Sequence, residues 1–200
     1  MSPISVVDRF AVWRERPLAA CAIVAAAVAA CVISLIAAPG VGGILGAALG
    51  LIAIAVAVID ARWFIIPNEL SAAAFALGLV HAAVTEPPVL QAVLFAALRG
   101  AMIALLFLAL REGYRRLRGR DGIGLGDVKL SAAAGAWLSW IAVPIAIEIA
   151  ALAAIAAFAL RHYVAGRPLD AALKFPFGMF LAPSIWLAWL IDVTLLAVVN

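Results

Sequence analysis

Two aspartates stand where this chain passes from apolar to polar sequence, and their surroundings point to acid–base chemistry. Asp60 closes a long apolar stretch, in Ile59-Asp60-Ala61-Arg62-Trp63-Phe64-Ile65-Ile66-Pro67-Asn68. Asp127 follows three alternating glycines, in Asp121-Gly122-Ile123-Gly124-Leu125-Gly126-Asp127-Val128-Lys129. The glycines give a backbone free of Cβ obstruction, suited to close approach by another chain. Two carboxylates on one face of a helical bundle can share a proton, because like charges a few Å apart cannot both ionise. The ionised member can take a proton from water while the protonated member polarises a scissile carbonyl. That chemistry needs no metal, no cofactor and no nucleophilic side chain.

Each residue also has a plainer reading. Asp60 taken alone is a helix-end aspartate solvated by cytoplasm, with Pro67-Asn68 opening the next helix. Asp127 is equally an N-cap after a flexible loop, where the helix dipole favours an anion. A phosphate-binding loop is a weaker alternative, since no strand precedes the glycines and the Gly-Lys-Ser/Thr ending is missing. His81 and His162 are isolated, near opposite faces, and read as interfacial residues, so no metal site is expected. Cys21 and Cys31 share one apolar segment without the spacing of zinc ligands or a redox pair, and read as buried, unpaired thiols.

The elements that must position these groups are membrane helices. The chain of 200 residues is 68% hydrophobic and 12% charged, whereas soluble domains are about half apolar and about a quarter charged. No charged residue falls between Arg16 and Asp60, a run long enough for two spans of about 20 residues each. Hydropathy predicts an all-α integral membrane protein, a polytopic bundle of about seven transmembrane helices near 18–38, 41–59, 69–85, 89–110, 127–140, 141–160 and 177–198. Pro39-Gly40, Thr85-Glu86-Pro87-Pro88 and the region of Trp140 and Pro144 supply turns. The polar loops fall at 60–68, 111–126 and 161–176. Residues 1–17 read as a cytoplasmic N-terminal stretch and 18–200 as one polytopic domain. The first apolar segment is too long for the core of a signal peptide and is followed at once by another, so it reads as an anchor.

Orientation follows from the basic residues, which favour the cytoplasmic side. With the N-terminus inside, Arg9, Arg14, Arg16, then Arg62, then Arg111, Arg115, Arg116, Arg118 and Arg120, then Arg161, Arg167 and Lys174 are all cytoplasmic. That topology accounts for the net charge of +3 without nucleic acid. It also favours two short spans over one kinked helix across 127–160. The fifth span, at about 1.5 Å per residue, covers roughly 20 Å and leaves Asp127 recessed. Ionisable residues within spans are costly and need partners, so Arg99 is expected to pair with Glu148, Asp192 or both.

Three elements together, Asp60…Ile66-Pro67-Asn68, GLGDVKL from Gly124 to Leu130, and FPFGMFLAP from Phe175 to Pro183, resemble the type IV prepilin peptidases, which are GxGD-type intramembrane aspartic peptidases. The resemblance covers roughly residues 45–190. It implies that Asp60 and Asp127 are catalytic, that Gly124 and Gly126 shape the active-site loop, and that Lys129, Pro67 and Asn68 lie beside it. It implies an enzyme of the bacterial inner membrane that cleaves the leaders of prepilin or pseudopilin precursors on the cytoplasmic side, in pilus assembly or protein secretion. Met179 departs from the family's usual proline, and altered packing of a structural segment is expected there. The cysteine-bearing segment that the family's bifunctional members use for N-methylation is absent from this sequence, which therefore resembles the compact, stand-alone peptidases. A proton-coupled transporter using Asp60 and Asp127, and a non-catalytic membrane scaffold, are the competing readings. Transporter sites lie near the bilayer midplane within repeats, and no repeat is visible here.

Overall fold

Alanine and leucine are strong helix formers, and in hydrocarbon a helix satisfies its own backbone, so the apolar runs fold as helices. The computed structural model describes residues 17–119, 122–165 and 176–199. Seven helices appear among them: α1 (Pro17–Ala37), α2 (Val41–Trp63), α3 (Asn68–Thr85), α4 (Val89–Arg118), α5 (Leu125–Trp137), α6 (Ala142–Ala165) and α7 (Gly178–Val199). The expected spans and turns correspond to these elements in order. Gly40 turns the chain into α2 at φ 88°, a conformation that glycine adopts without cost. The chain breaks between Trp137 and Ala142, so two helices stand where a single kinked one was the alternative.

Among the described residues, five helices contain segments long and apolar enough to cross a membrane: Leu18–Ala37, Val41–Trp63, Val89–Arg118, Ala142–Leu160 and Gly178–Leu195. The chain is a multi-pass membrane protein. α3 and α5 fall short of that standard. α5 has 13 residues, roughly 20 Å of rise against a hydrocarbon core of about 30 Å. It compensates by being central: nine of its residues are buried, and it packs on α3, α4, α6 and α7. α1 lies against α2 and α7 at the edge of the bundle. Large apolar side chains such as Leu94, Leu98 and Leu105 of α4 point outward, as a lipid-facing surface requires.

The interior is built from small residues and indoles. A Cβ on Gly135 of α5 would lie 2.7 Å from both the Arg99 carbonyl and Gly100 Cα of α4, so the two backbones touch. Trp189 of α7 fills the space over Gly46 of α2. The buried indoles and the half-buried Trp186 each find an acceptor: Trp137 Nε1 donates to the Ala74 carbonyl at 2.8 Å, Trp186 Nε1 to Ser34 Oγ at 3.0 Å and Trp189 Nε1 to His81 Nε2 at 3.3 Å. An indole N–H left unpaired in such surroundings is costly.

Several expectations are corrected. α4 runs helically through Arg118, two turns beyond the expected end, carrying Arg111 to Arg118 with it. Glu112 pairs there with the exposed Arg115 and Arg116 at 2.9 Å, at the i,i+3 and i,i+4 spacings that helical pairs use. Arg99 forms no ion pair with Glu148 or Asp192 among the described residues. Its Nε donates to the Gly135 carbonyl at 2.6 Å, in the last turn of α5, where carbonyls lack helical partners. Asp192 instead anchors the α5–α6 turn, accepting from Ser139 N at 3.2 Å and Ser139 Oγ at 3.0 Å. His81 is held inside the bundle against Trp137, with ring centroids 4.8 Å apart. Cys21 is exposed and Cys31 half-buried, both free thiols. The stretch 1–16, with Arg9, Arg14 and Arg16, lies outside the described residues, as do Arg120, Asp121, Arg167, Lys174, Phe175, Asn200 and the side chains of Arg161 and His162.

The close α4–α5 contact gives a direct test. Gly135→Ala is expected to lower stability in detergent by about 1–3 kcal/mol through overpacking. Gly113→Ala, on a face of α4 with nothing within 4 Å of the new Cβ, is expected to be neutral or slightly stabilising. Equal melting midpoints for the two variants would contradict the packing.

Candidate active site

The segment between α2 and α3 sets the geometry. Phe64 closes α2 in the left-handed region, φ 55° and ψ 36°, with its N–H on the Asp60 carbonyl. Pro67 then keeps Ile66 extended, because a proline disfavours helical backbone in the residue before it. The chain leaves α2, makes one sharp corner, and starts α3 directly after Pro67. Phe64 and Ile65 remain exposed, while Ile66 turns inward and is 9% exposed.

Ile66 sits between the starts of α5 and α7. A Cβ on Gly126 would come within 2.9 Å of Ile66 Cβ. A Cβ on Gly178 would collide with Ile66 Cδ1 and lie 2.9 Å from Asp60 Oδ2. Both glycines are therefore needed for three chain segments to converge here.

Asp60, in the last turn of α2, is 4% exposed. Its Oδ2 accepts the Met179 N–H at 2.9 Å, and the Gly178 N–H also bonds to the carboxylate. These are the first amides of α7, which have no helical acceptor. The Asp60 carboxylate thus serves as the cap of a helix that begins 118 positions later in the chain, and the positive end of that helix favours it. Met179 accordingly does more than repack a structural segment, as the sequence led us to expect: its backbone N–H holds Asp60. A proline there would have no N–H to give.

Asp127 is the third residue of α5 and is 7% exposed. Its Oδ2 reaches back to the Gly124 N–H at 3.2 Å, half of a capping box, since Gly124 has no side chain to complete it. Among the described residues, Oδ1 of Asp127 is the one buried side-chain oxygen or nitrogen without a hydrogen-bond partner. The carboxyl of Asp60 is near enough to act on that of Asp127 electrostatically.

The other residues singled out from the sequence gather at the same end of the bundle. Lys129 Nζ donates to Asn68 Oδ1 at 2.6 Å, tying the start of α3 to the start of α5. Lys129 and Asn68 are both exposed, so this bridge lies on the open side of the site. Gly124 N-caps α5, and Pro67 N-caps α3. Sequence reasoning had assigned no role to Ile66, Gly178 or the Met179 N–H. Ile66 was visible beside Pro67, but nothing in its type marked it as the residue between the two helices.

The model of the type IV leader peptidase family matches residues 47–160. A prepilin leader peptidase/N-methyltransferase of Aeromonas hydrophila is 38% identical over 99 residues, covering 47% of this chain and 32% of that protein. One from Aeromonas salmonicida is 32% identical over 158 residues, or 76% of this chain and 50% of that protein. The leader peptidase HopD of Escherichia coli is 34% identical over 127 residues, or 62% of this chain and 78% of HopD. The chain therefore spans a third to a half of the two bifunctional relatives and most of HopD. No solved structure matches it.

The two carboxylates should differ in what they do for the fold. Asp60→Ala removes the acceptor of two helix-end amides and is expected to cost about 1–3 kcal/mol. Asp127→Ala removes the acceptor of one amide, the Gly124 N–H, together with a buried oxygen that has no partner, and is expected to cost less than Asp60→Ala. Thermal unfolding in detergent checks the pair, and a larger loss for Asp127→Ala would contradict this account.

Proposed function

The chain belongs to the type IV leader peptidase family, and from that premise we propose that it is a membrane aspartic endopeptidase in which Asp60 and Asp127 cut the leader from prepilin-like precursors. The observation that carries this reading is Asp127 Oδ1, a buried oxygen with no protein partner, beside a second buried carboxyl that the fold holds rigidly. Buried polar atoms are nearly always paired, and exceptions concentrate where a ligand, water or proton completes them.

The pair holds one proton between them, a property of the pair and of neither residue alone. The ionised carboxyl takes a proton from water as the water oxygen bonds to the scissile carbonyl carbon. The protonated carboxyl donates to the carbonyl oxygen, giving a neutral tetrahedral adduct. Collapse of the adduct breaks the C–N bond as the protonated carboxyl gives its proton to the leaving nitrogen and the ionised carboxyl takes one from an adduct hydroxyl, so the C=O re-forms and the pair again holds one proton. The Asn68–Lys129 bridge lies at the open side, where an incoming chain passes. Because Asp60 and Asp127 lie at the end of the bundle that carries the α4 arginines, this reading favours a peptidase over a transporter, whose site belongs near the midplane.

The same reading places the site at the cytoplasmic face of the bacterial inner membrane. Arg115, Arg116 and Arg118, at the end of α4, share that end of the bundle with Asp60 and Asp127, in keeping with the excess of basic residues on cytoplasmic ends. The substrate class is a small precursor with a basic leader, a glycine and an apolar helix.

Two measurements test the proposal. Asp60→Asn and Asp127→Asn, purified and inserted normally, are each expected to abolish cleavage of such a precursor. The double variant should be no worse than either single one, because groups acting as a unit are non-additive. Full processing by either single variant would sink the assignment. In a background lacking Cys21 and Cys31, a cysteine at Glu86 should react with a membrane-impermeant reagent in intact cells, and one at Arg118 should react only after permeabilisation. The reverse pattern would overturn the orientation.

A further inference from the structure

The arginines at the end of α4 have a topological explanation, but Arg111 differs from the rest. Arg115, Arg116 and Arg118 are exposed, whereas Arg111 is half-buried. Its Nη1 donates to the Ile123 carbonyl at 2.5 Å. The nitrogen bonded to that carbonyl carbon is Gly124 N, which donates to Asp127 Oδ2 at 3.2 Å. One peptide group thus accepts from a guanidinium at its oxygen and donates to a carboxylate at its nitrogen. Hydrogen bonds in such a chain polarise one another, and a cationic donor strengthens the effect. Tyr114, one turn along the same face of α4, fixes the loop beside it, since a Cβ on Gly122 would lie 2.5 Å from Tyr114 Cδ1.

We propose that Arg111 is a positioning residue for Asp127, acting through the Ile123–Gly124 peptide to hold the carboxyl in its working orientation. The proposal rests on the reading of Asp127 as catalytic. The glycine-rich loop has few side chains to fix its path. A cation from a neighbouring helix, bonded to the carbonyl just ahead of the helix cap, sets the direction of the Gly124 N–H before any substrate arrives. Asp127 Oδ2 follows that N–H, and the orientation of Oδ1 follows from Oδ2.

The test uses the full-length protein in detergent or liposomes with a synthetic precursor. Arg111→Met keeps length and removes the donor. It is expected to lower kcat about tenfold, the scale of one lost hydrogen bond to a charged group, with KM unchanged. Arg111→Lys keeps a donor and should recover activity to within about threefold of the parent. Arg116→Met removes an exposed arginine paired with Glu112 and should behave as the parent. If Asp127→Asn is inactive while Arg111→Met matches Arg116→Met, the proposal fails and the catalytic reading stands. If Asp127→Asn cleaves normally, the catalytic reading fails instead. A fall in melting midpoint for Arg111→Met that Arg111→Lys restores, without any change in kcat, would also overturn the proposal by showing the contact to be structural only.

Discussion

Two helices begin inside this bundle, and the amides at a helix start have no acceptor within their own helix. Away from water each such amide must be met or it costs free energy. The starts of α5 and α7 converge at one place, and a carboxylate meets each: Asp60 takes the first amides of α7, and Asp127 takes the amide ahead of α5. The rest of the architecture follows from that convergence. Gly126 and Gly178 must lack side chains, and Ile66 must be the apolar residue that fills the space they leave.

A short central helix then has to be held by its neighbours, and its far end repeats the problem with opposite sign. Carbonyls at a helix end want donors, and α5 receives the Arg99 guanidinium on Gly135. The turn that follows is tied down through Ser139 by Asp192. Two of the intramembrane charges that looked like a pairing problem, Arg99 and Asp192, thus go to backbone groups at helix ends. The small residues between α4 and α5 serve the same purpose, because only touching backbones let side chains on one helix reach the ends of another. Without a hydrophobic drive between helices in lipid, such close packing and hydrogen bonding are what hold the bundle.

The sequence was most informative where it dictated spans and turns. Uninterrupted apolar runs, Pro39-Gly40, the Pro87-Pro88 corner and the Trp140 region located all seven helices. The Asp60, Asn68, Gly124 and Lys129 neighbourhood followed from the resemblance. Partners across space were less legible. Charge reasoning joined Arg99 to the acids, whereas the free carbonyl of Gly135 was nearer; carbonyls at helix ends are invisible in composition. His81 read as interfacial because its contacts, Trp137 and Trp189, lie on helices whose register the sequence does not give. Arg111 was hidden in a run of arginines that topology explains equally well. The Met179 contact was hidden for a similar reason: the interaction belongs to its N–H, which every residue but proline possesses.

The two carboxylates of the proposed pair are held by different means, and that difference is the last consequence of the shared constraint. Asp60 caps α7 through Oδ2, so its position follows the helix start it completes, besides its proposed part in the reaction. Asp127 is held by one oxygen only, and the other is buried without a partner. A buried acceptor left open costs about 1–3 kcal/mol, and a bundle that pairs its indoles and its serines has retained the cost at this one atom. An aspartic pair needs such an asymmetry. If both carboxylates were fully satisfied by backbone, neither oxygen could receive a proton from water. If neither were, the two like charges would drive the helix starts apart. A carboxylate anchored at each helix start, with one oxygen of Asp127 left open, meets both demands, and the convergence of two helix N-termini produces that arrangement without any added metal or cofactor in the proposed chemistry.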